Sequence, residues 1–343
     1  MKFKAIAVAL ATVFTMSTAL TACQDKKADT GSFTGTIRIA YQNGMSYAPF
    51  YVMQKKKLIE KYLPGVTVKW SKLGSGSAVS ESLAAEKADV GVMGIPPLLI
   101  AWDKGATYKM FSGLINNSLG LVTKKDEFTS LKSYKVTDKI AVPAPGSIQH
   151  ILLSMAAKKQ LGDAKALDGS IISMAHPDAQ NALMNNIDIA GHYSSPPYIY
   201  DELSNGGKMA VDGFDTFGGD FSFLVTVATK SFMEESPAYA GAAYMALSEA
   251  INLINSRDPE TIEIIAAQEN LPSEKVIKYL DWEGTNYTTT PYGSMGLAKY
   301  MKEVDYISKV PAKYSDFCWD TVSSAIGQRS GKASVLETAQ ERN

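Results

Sequence analysis

Two short stretches of this chain have the composition of an anion cradle. Gly74-Ser75-Gly76-Ser77 and Gly146-Ser147 each stand just ahead of a helix-forming run. The start of a helix leaves backbone N–H groups unpaired and carries a partial positive charge, which favours an anion. Glycine lets the backbone approach a ligand closely, and the serine hydroxyls add donors. The same residues also serve as plain caps and turns where nothing binds. One helix terminus contributes about 0.3 to 1 kcal/mol, whereas micromolar affinity needs about 8 kcal/mol. Direct hydrogen bonds and apolar contact must therefore supply the rest. Tyr47, Tyr51, Trp70, Tyr193 and Tyr198 lie beside the relevant loops and join apolar area to one polar group, as a ligand pocket requires.

Other chemistry is sparse. His150, His176 and His192 have no metal-ligand spacing, and no cysteine or carboxylate cluster completes a site, so neither metal nor cofactor is expected. His192 is the candidate among them, because Gly191-His192-Tyr193-Ser194-Ser195-Pro196-Pro197 reads as a strand end entering a loop and a helix start. The chain has no Gly-x-Ser-x-Gly elbow and no P-loop. Arginine is confined to Arg38, Arg257, Arg329 and Arg342, in a strand, at helix ends or in the tail, which disfavours a bidentate guanidinium clamp. What remains is an anion held by N–H and hydroxyl donors, or a more neutral organic molecule, aromatic ones included.

A chain of 343 residues with 45% apolar side chains can bury two domain cores. The formal net charge of -1 excludes a bulk field for nucleic acid. Lys2 and Lys4 precede an apolar run from Ala5 to about Phe14, and Leu20-Thr21-Ala22-Cys23 follows. This pattern predicts a signal peptide over 1–22, since the apolar core is short for a bilayer. The Leu-x-Ala-Cys tetrad resembles the bacterial lipoprotein lipobox, which implies a lipid on Cys23, with residues 23–34 as anchor and polar tether. Cys318 is then the remaining cysteine, in the apolar context Phe317-Cys318-Trp319, and reads as a buried small hydrophobe.

The elements that position these residues repeat one grammar. Thr36–Tyr41 breaks at a loop carrying Asn43, Met45, Ser46 and Tyr47; Val66–Trp70 runs into Gly74, Ser75, Gly76 and Ser77; Val90–Met93 ends at Gly94, Ile95 and Pro96. Each loop feeds a helix start, as in an open parallel sheet that binds ligands beyond its strand ends. The pattern restarts at Ile140–Val142 with Gly146 and Ser147, and again before His192 and Tyr193. From Phe221 a β-rich run leads to a helical remainder, including an expected helix from Tyr314 to about Gly327. The expected fold class is α/β with two lobes: 35–123 plus 222–330, and 124–221, followed by a flexible tail over 331–343. Two chain crossings, near Val122–Lys125 and Phe221–Leu224, form a hinge with a ligand cleft between the lobes.

Tyr47-Ala48-Pro49-Phe50-Tyr51-Val52, then Lys57-Leu58-Ile59-Glu60-Lys61-Tyr62, Ala88-Asp89-Val90-Gly91-Val92-Met93-Gly94 and Gly146-Ser147 resemble the solute-binding proteins of ABC importers. The match is to the nitrate, sulfonate and taurine branch, which also holds pyrimidine-precursor binders, and it extends over about Ile37 to Gly327. It implies a type II-like periplasmic-binding-protein fold, closing as a monomer on one small molecule. The partners implied are the permease subunits with their cytoplasmic ATPase, at the extracytoplasmic face of the membrane, and no catalysis is expected. The alternative is an enzyme of the same fold, resembling pyrimidine-synthesising enzymes that consume a histidine of their own chain. The export segment argues against it, and a modified His150 or His192 would favour it.

Overall fold

The computed structural model describes residues 35–320. The signal peptide, Cys23 with its tether, and the tail from residue 331 lie outside them. In chain order the strands are β1 (Thr36–Tyr41), β2 (Thr67–Lys72), β3 (Val90–Met93), β4 (Lys109–Asn116), β5 (Gly120–Thr123), β6 (Ile140–Val142), β7 (Ile171–Ser173), β8 (Gly191–Ser194), β9 (Lys208–Asp212), β10 (Ser222–Ala228) and β11 (Asn286–Tyr287). They form one sheet of order β11-β4-β10-β3-β1-β2 and a second of order β7-β6-β8-β5-β9. Within the first, β1, β2 and β3 are parallel and β10 runs antiparallel between β3 and β4. Within the second, β6 is parallel to β7 and β8, whereas β5 is antiparallel to β8 and β9.

The central strands β3 and β10 are buried along their whole length, which is why they read as mostly apolar runs, broken in β10 by Ser222 and Thr226, rather than as strict alternation. Helices pack close to them where the sequence allows it. A Cβ on Gly91 would stand 2.6 Å from Val79 Cγ1 and 2.8 Å from Leu83 Cδ1, so glycine lets the helix Gly76–Ala84 lie directly on β3. Pro96 and Pro177 sit at the starts of helices Ile95–Asp103 and His176–Met184, where the missing N–H costs nothing.

Two expectations need correction. β5 pairs with β8 and β9 in the second sheet, so the chain leaves the first sheet at Asn117–Leu119 rather than near Val122–Lys125. A four-residue buried strand carries no mark of which sheet it completes. The segment from Tyr314 makes only a 3-10 turn, Tyr314–Asp316. Cys318 then runs beside Met110, with Met110 N–H donating to Phe317 at 2.8 Å and Trp319 N–H to Met110 at 2.9 Å. Pairing with β4 takes the place of the expected helix up to Trp319, and the rest of that expected helix, from residue 321, lies outside the described residues. Between β9 and β10 the chain makes the short helix Gly213–Phe217.

Candidate functional site

Four helices begin around one small cavity between the two sheets. Gly76 opens the helix Gly76–Ala84, Gly94 caps Ile95–Asp103, Ser147 caps Ile148–Leu161 and His176 opens His176–Met184, and all four residues line the cavity. The first two helices follow strands of the first sheet, and the last two follow β6 and β7 of the second. Gln42, Tyr47, Gln149 and, from β10, Phe223 and Leu224 complete the wall. No lysine, arginine or carboxylate is among the lining residues, so the site's positive potential comes from backbone N–H groups and helix termini.

The cavity measures about 20 Å³, room for roughly one water and far below the roughly 300 Å³ of an ordinary ligand pocket. Two larger recesses of about 260 Å³ flank it along the same seam, one beside Gly44, Tyr51, Lys72 and Tyr198, the other beside Ser77, Pro97 and Ser147. The halves are also bonded across the seam. Tyr279 donates to Asp201 Oδ1 at 2.6 Å, Lys275 pairs with the same carboxylate, and Tyr300 and Ser154 share a hydrogen bond of 2.7 Å. A solute of more than a few atoms therefore enters only when these halves part. A wider groove, about 600 Å³ beside Tyr62, Tyr244 and Met245, lies away from these helix starts and has none of their donors.

The cap geometry explains why these positions hold. Ser147 Oγ accepts from His150 N–H at 3.3 Å, while Gly146, in the left-handed region at φ +77°, donates its N–H to His150 Nδ1 at 2.9 Å. His150 Nε2 then donates to Asp168 Oδ1 at 3.1 Å. Ser75 Oγ accepts from Ala78 N–H at 3.2 Å and shares a hydrogen bond of 2.9 Å with Ser77. Burial pushes the Tyr47 hydroxyl well above the usual tyrosine range, so it stays protonated.

Of the expected residues, Tyr47, Gly76, Gly94 and Ser147 meet at the cavity. Ser77 and Gly146 line one flanking recess and Asn43 the other. Ser46 is buried and accepts from Asn117 Nδ2 at 3.3 Å, and the Met45 carbonyl accepts from Tyr287. Ile95 and Pro96 are buried in the first turn of their helix, Ser75 works as the cap of Gly76–Ala84, and Gly74 has open space around it. His192 and Tyr193 do not line the cavity. Both are fully buried, because β8 is a central strand between β6 and β5.

Sequence reasoning missed Gln42, Gln149 and His176. Gln42 Nε2 donates to Val92 O at 3.3 Å. His176 is stacked on Tyr198, with ring centroids 5.6 Å apart, and burial holds its ring well below the usual histidine pKa, hence neutral. The strand-to-helix passage Ser173–Pro177 obeys the same grammar as the other loops and marks His176 as a candidate. The two arginines among the described residues are engaged elsewhere: Arg38 Nε donates to Asp89 at 3.0 Å and Arg257 to Asp281 at 2.6 Å.

Known proteins resemble the chain over most of its length. It is 28% identical over 302 residues to the taurine-binding periplasmic protein of Escherichia coli K12, covering 82% of this chain and 89% of that one. The alkanesulfonate-binding protein SsuA of Xanthomonas axonopodis pv. citri, solved with MOPS bound, superposes with a TM-score of 0.68 at 17% identity, covering 83% of this chain and 98% of that one. The periplasmic nitrate-binding protein NrtA of Synechocystis PCC 6803 gives 0.63 at 15% identity, with 89% and 87% covered. These structures establish the periplasmic-binding-protein type of fold. The model of the NMT1-like family matches residues 33–268, and the chain belongs to that family.

Proposed function

We propose that this protein is an extracytoplasmic solute-binding protein of an ABC importer, which closes two lobes on a small sulfonate-like anion and hands it to the permease. The carrying observation is the convergence of four helix N-termini on one cavity with no charged side chain in its wall. At about 0.3 to 1 kcal/mol each, four termini contribute roughly 1 to 4 kcal/mol. Hydrogen bonds from Ser147, Gln42 and Gln149 and contact with Tyr47 and Phe223 add the remainder. The taurine-binding relative and the alkanesulfonate-binding neighbour support a sulfonate over the heterocycle that the aromatic residues also suggest.

In this reading the lobes are the two sheets with their helices, hinged at 117–119 and 213–221, and the protein acts as a monomer and a binding protein rather than an enzyme. Cys23 carries a lipid anchor that holds it at the outer face of the cell membrane, facing the permease and its cytoplasmic ATPase. The test is a thermal-shift screen of the mature chain against taurine, alkyl sulfonates, nitrate, bicarbonate, aminopyrimidines and purines. A ligand at a hundred times its dissociation constant stabilises by about 2.7 kcal/mol, a shift of several degrees. A response to sulfonates supports the reading, a response to heterocycles alone replaces the ligand class, and silence throughout contradicts it.

A further inference from the structure

A buried hydrogen-bonded chain leads from the cavity into the second sheet. Gln149 Nε2 lies 3.1 Å from His176 Nε2, His176 Nδ1 lies 2.7 Å from His192 Nε2, and His192 Nδ1 lies 2.6 Å from Glu202 Oε1. His192 and Glu202 are fully buried, and Glu202 Oε2 has no hydrogen-bond partner. Gln149 and His176 form part of the cavity wall.

We propose that Gln149 reads the hydrogen-bond polarity of the ligand, and that the Glu202–His192–His176 chain sets that polarity by taking up one proton when an anion binds. The inference rests on the solute-binding reading above.

Two proton arrangements satisfy every link while keeping Glu202 ionised and His176 neutral. In the first, each ring carries one proton and Glu202 is ionised: His192 Nδ1–H donates to Glu202, His176 Nδ1–H donates to His192 Nε2, and Gln149 donates an amide N–H to His176 Nε2. The amide oxygen is then free for the cavity, which suits a donor ligand, and the chain keeps one uncompensated negative charge. In the second, a proton from solvent enters at His176 Nε2, the His176 Nδ1 proton passes to His192 Nε2, and His192 becomes the cation beside Glu202. His176 Nε2–H now donates to the Gln149 oxygen, so the amide turns over and offers its NH₂ group to the cavity. Proton count and charge balance: one proton leaves the buffer and the chain becomes neutral overall.

An anion favours the second arrangement for two reasons. It requires donors, and its charge would otherwise stand near a buried, unpaired carboxylate, which is costly. His176 stays neutral in both, in keeping with the depression of its pKa by burial and by His192. The other titratable groups on the packed elements are occupied or point away. Asp201 is held by Tyr279 and Lys275, Lys208 by Asp126, His150 by Asp168, and Asp212 caps its helix. Asp178 is exposed, Tyr200 bonds Asn117, and Tyr198, stacked on His176, is the group that Tyr47, Tyr51 and Glu269 of the first sheet's half act on. β5 and β6, which flank β8, carry no ionisable residue.

The chain has three histidines, so their ring nitrogens can be resolved individually by nitrogen-detected NMR, with His150 as an internal control outside the chain. The experiment titrates the mature protein with taurine in buffers of different ionisation enthalpy and records the rings free and saturated. Neither the sulfonate nor the ammonium of taurine titrates near neutral pH, so any proton taken up goes to the protein. Expected are uptake of up to about one proton, a His192 signal that becomes imidazolium, a His176 tautomer that moves from Nδ1–H to Nε2–H, and affinity that weakens by up to about tenfold per pH unit as pH rises. Glu202→Gln should flatten that pH profile, and the ring signals of the unaltered protein decide the matter should that variant fold poorly. Binding with no proton uptake and unchanged tautomers overturns this inference alone. Absence of binding by taurine and by propanesulfonate, run as a second probe, overturns the sulfonate reading together with it.

Discussion

Gly94 Cα, at the start of one helix, faces Ile148 at the start of another: a Cβ placed on Gly94 would stand 3.2 Å from Ile148 Cγ2. One residue belongs to the first sheet's half and the other to the second's, so this contact is a gauge of closure. Gly94 has φ -67°, which any residue adopts. Gly94→Val therefore keeps the backbone and obstructs the seam. Overpacking of about 1 to 3 kcal/mol falls on the closed form alone, and ligand affinity should drop roughly tenfold to a hundredfold. Calorimetric titration, with the free protein's melting temperature as control, checks it.

Ser147 and Ser75 both cap helices that begin at the seam, but only Ser147 lines the cavity. Each serine-to-alanine change should cost about 0.5 to 2 kcal/mol of stability through the lost cap. Ser147→Ala should in addition weaken anion binding about tenfold, and Ser75→Ala should leave it within about twofold, allowing about 1.4 kcal/mol for the lost ligand bond. Paired denaturation and binding curves separate the two effects. Equal losses of affinity in both variants would contradict this placement of the site.

The contrast between those serines shows where the sequence was readable. Strands ending in Gly-Ser or Gly-Pro loops are visible because glycine, proline and serine each have a local conformational reason to be there. Two sheets and the strand-end positions of Tyr47, Gly76, Gly94 and Ser147 were readable from that, and the structure brings these four to one cavity. Gln42 and Gln149 were not visible, since a glutamine has no periodic or turn signature and acquires its role only when distant elements meet. His192 and Tyr193 misled for a related reason. A strand end in sequence can be a central, buried strand in space, and β8 is flanked on both sides.

Tyr200 donates its hydroxyl to Asn117 Oδ1 at 3.0 Å and stacks on Trp282, centroids 4.2 Å apart. Asn117 lies on the first crossing and also bonds Ser46 and Thr285. Tyr200→Phe removes its bonds to Asn117 and to Thr285 Oγ1; Thr285 keeps its own bond to Asn117, so the net loss is about 0.5 to 1.5 kcal/mol, while the ring and its stacking remain. The loss should appear as ligand release that is roughly two- to tenfold faster, measured by stopped-flow fluorescence, with association nearly unchanged.

His176 makes stability depend on pH. Its ring is held neutral when folded, while in the unfolded chain it titrates near about 6.5. Above that pH neither state is protonated there and the histidine's contribution is fully present. As pH falls below it, the unfolded state alone gains a proton and stability declines by up to about 1.4 kcal/mol per pH unit. Urea denaturation between about pH 7.5 and pH 5 should show the decline, and His176→Gln should make the curve shallower in that window.

The account turns on closure over an anion at the seam, and small-angle X-ray scattering of the mature protein measures it directly. With saturating taurine or the best sulfonate of the screen, the radius of gyration should fall relative to the free protein, and Gly94→Val should remain in the larger form at the same ligand concentration. A bound ligand that leaves the radius unchanged, or a variant that closes like the unaltered protein, would contradict it.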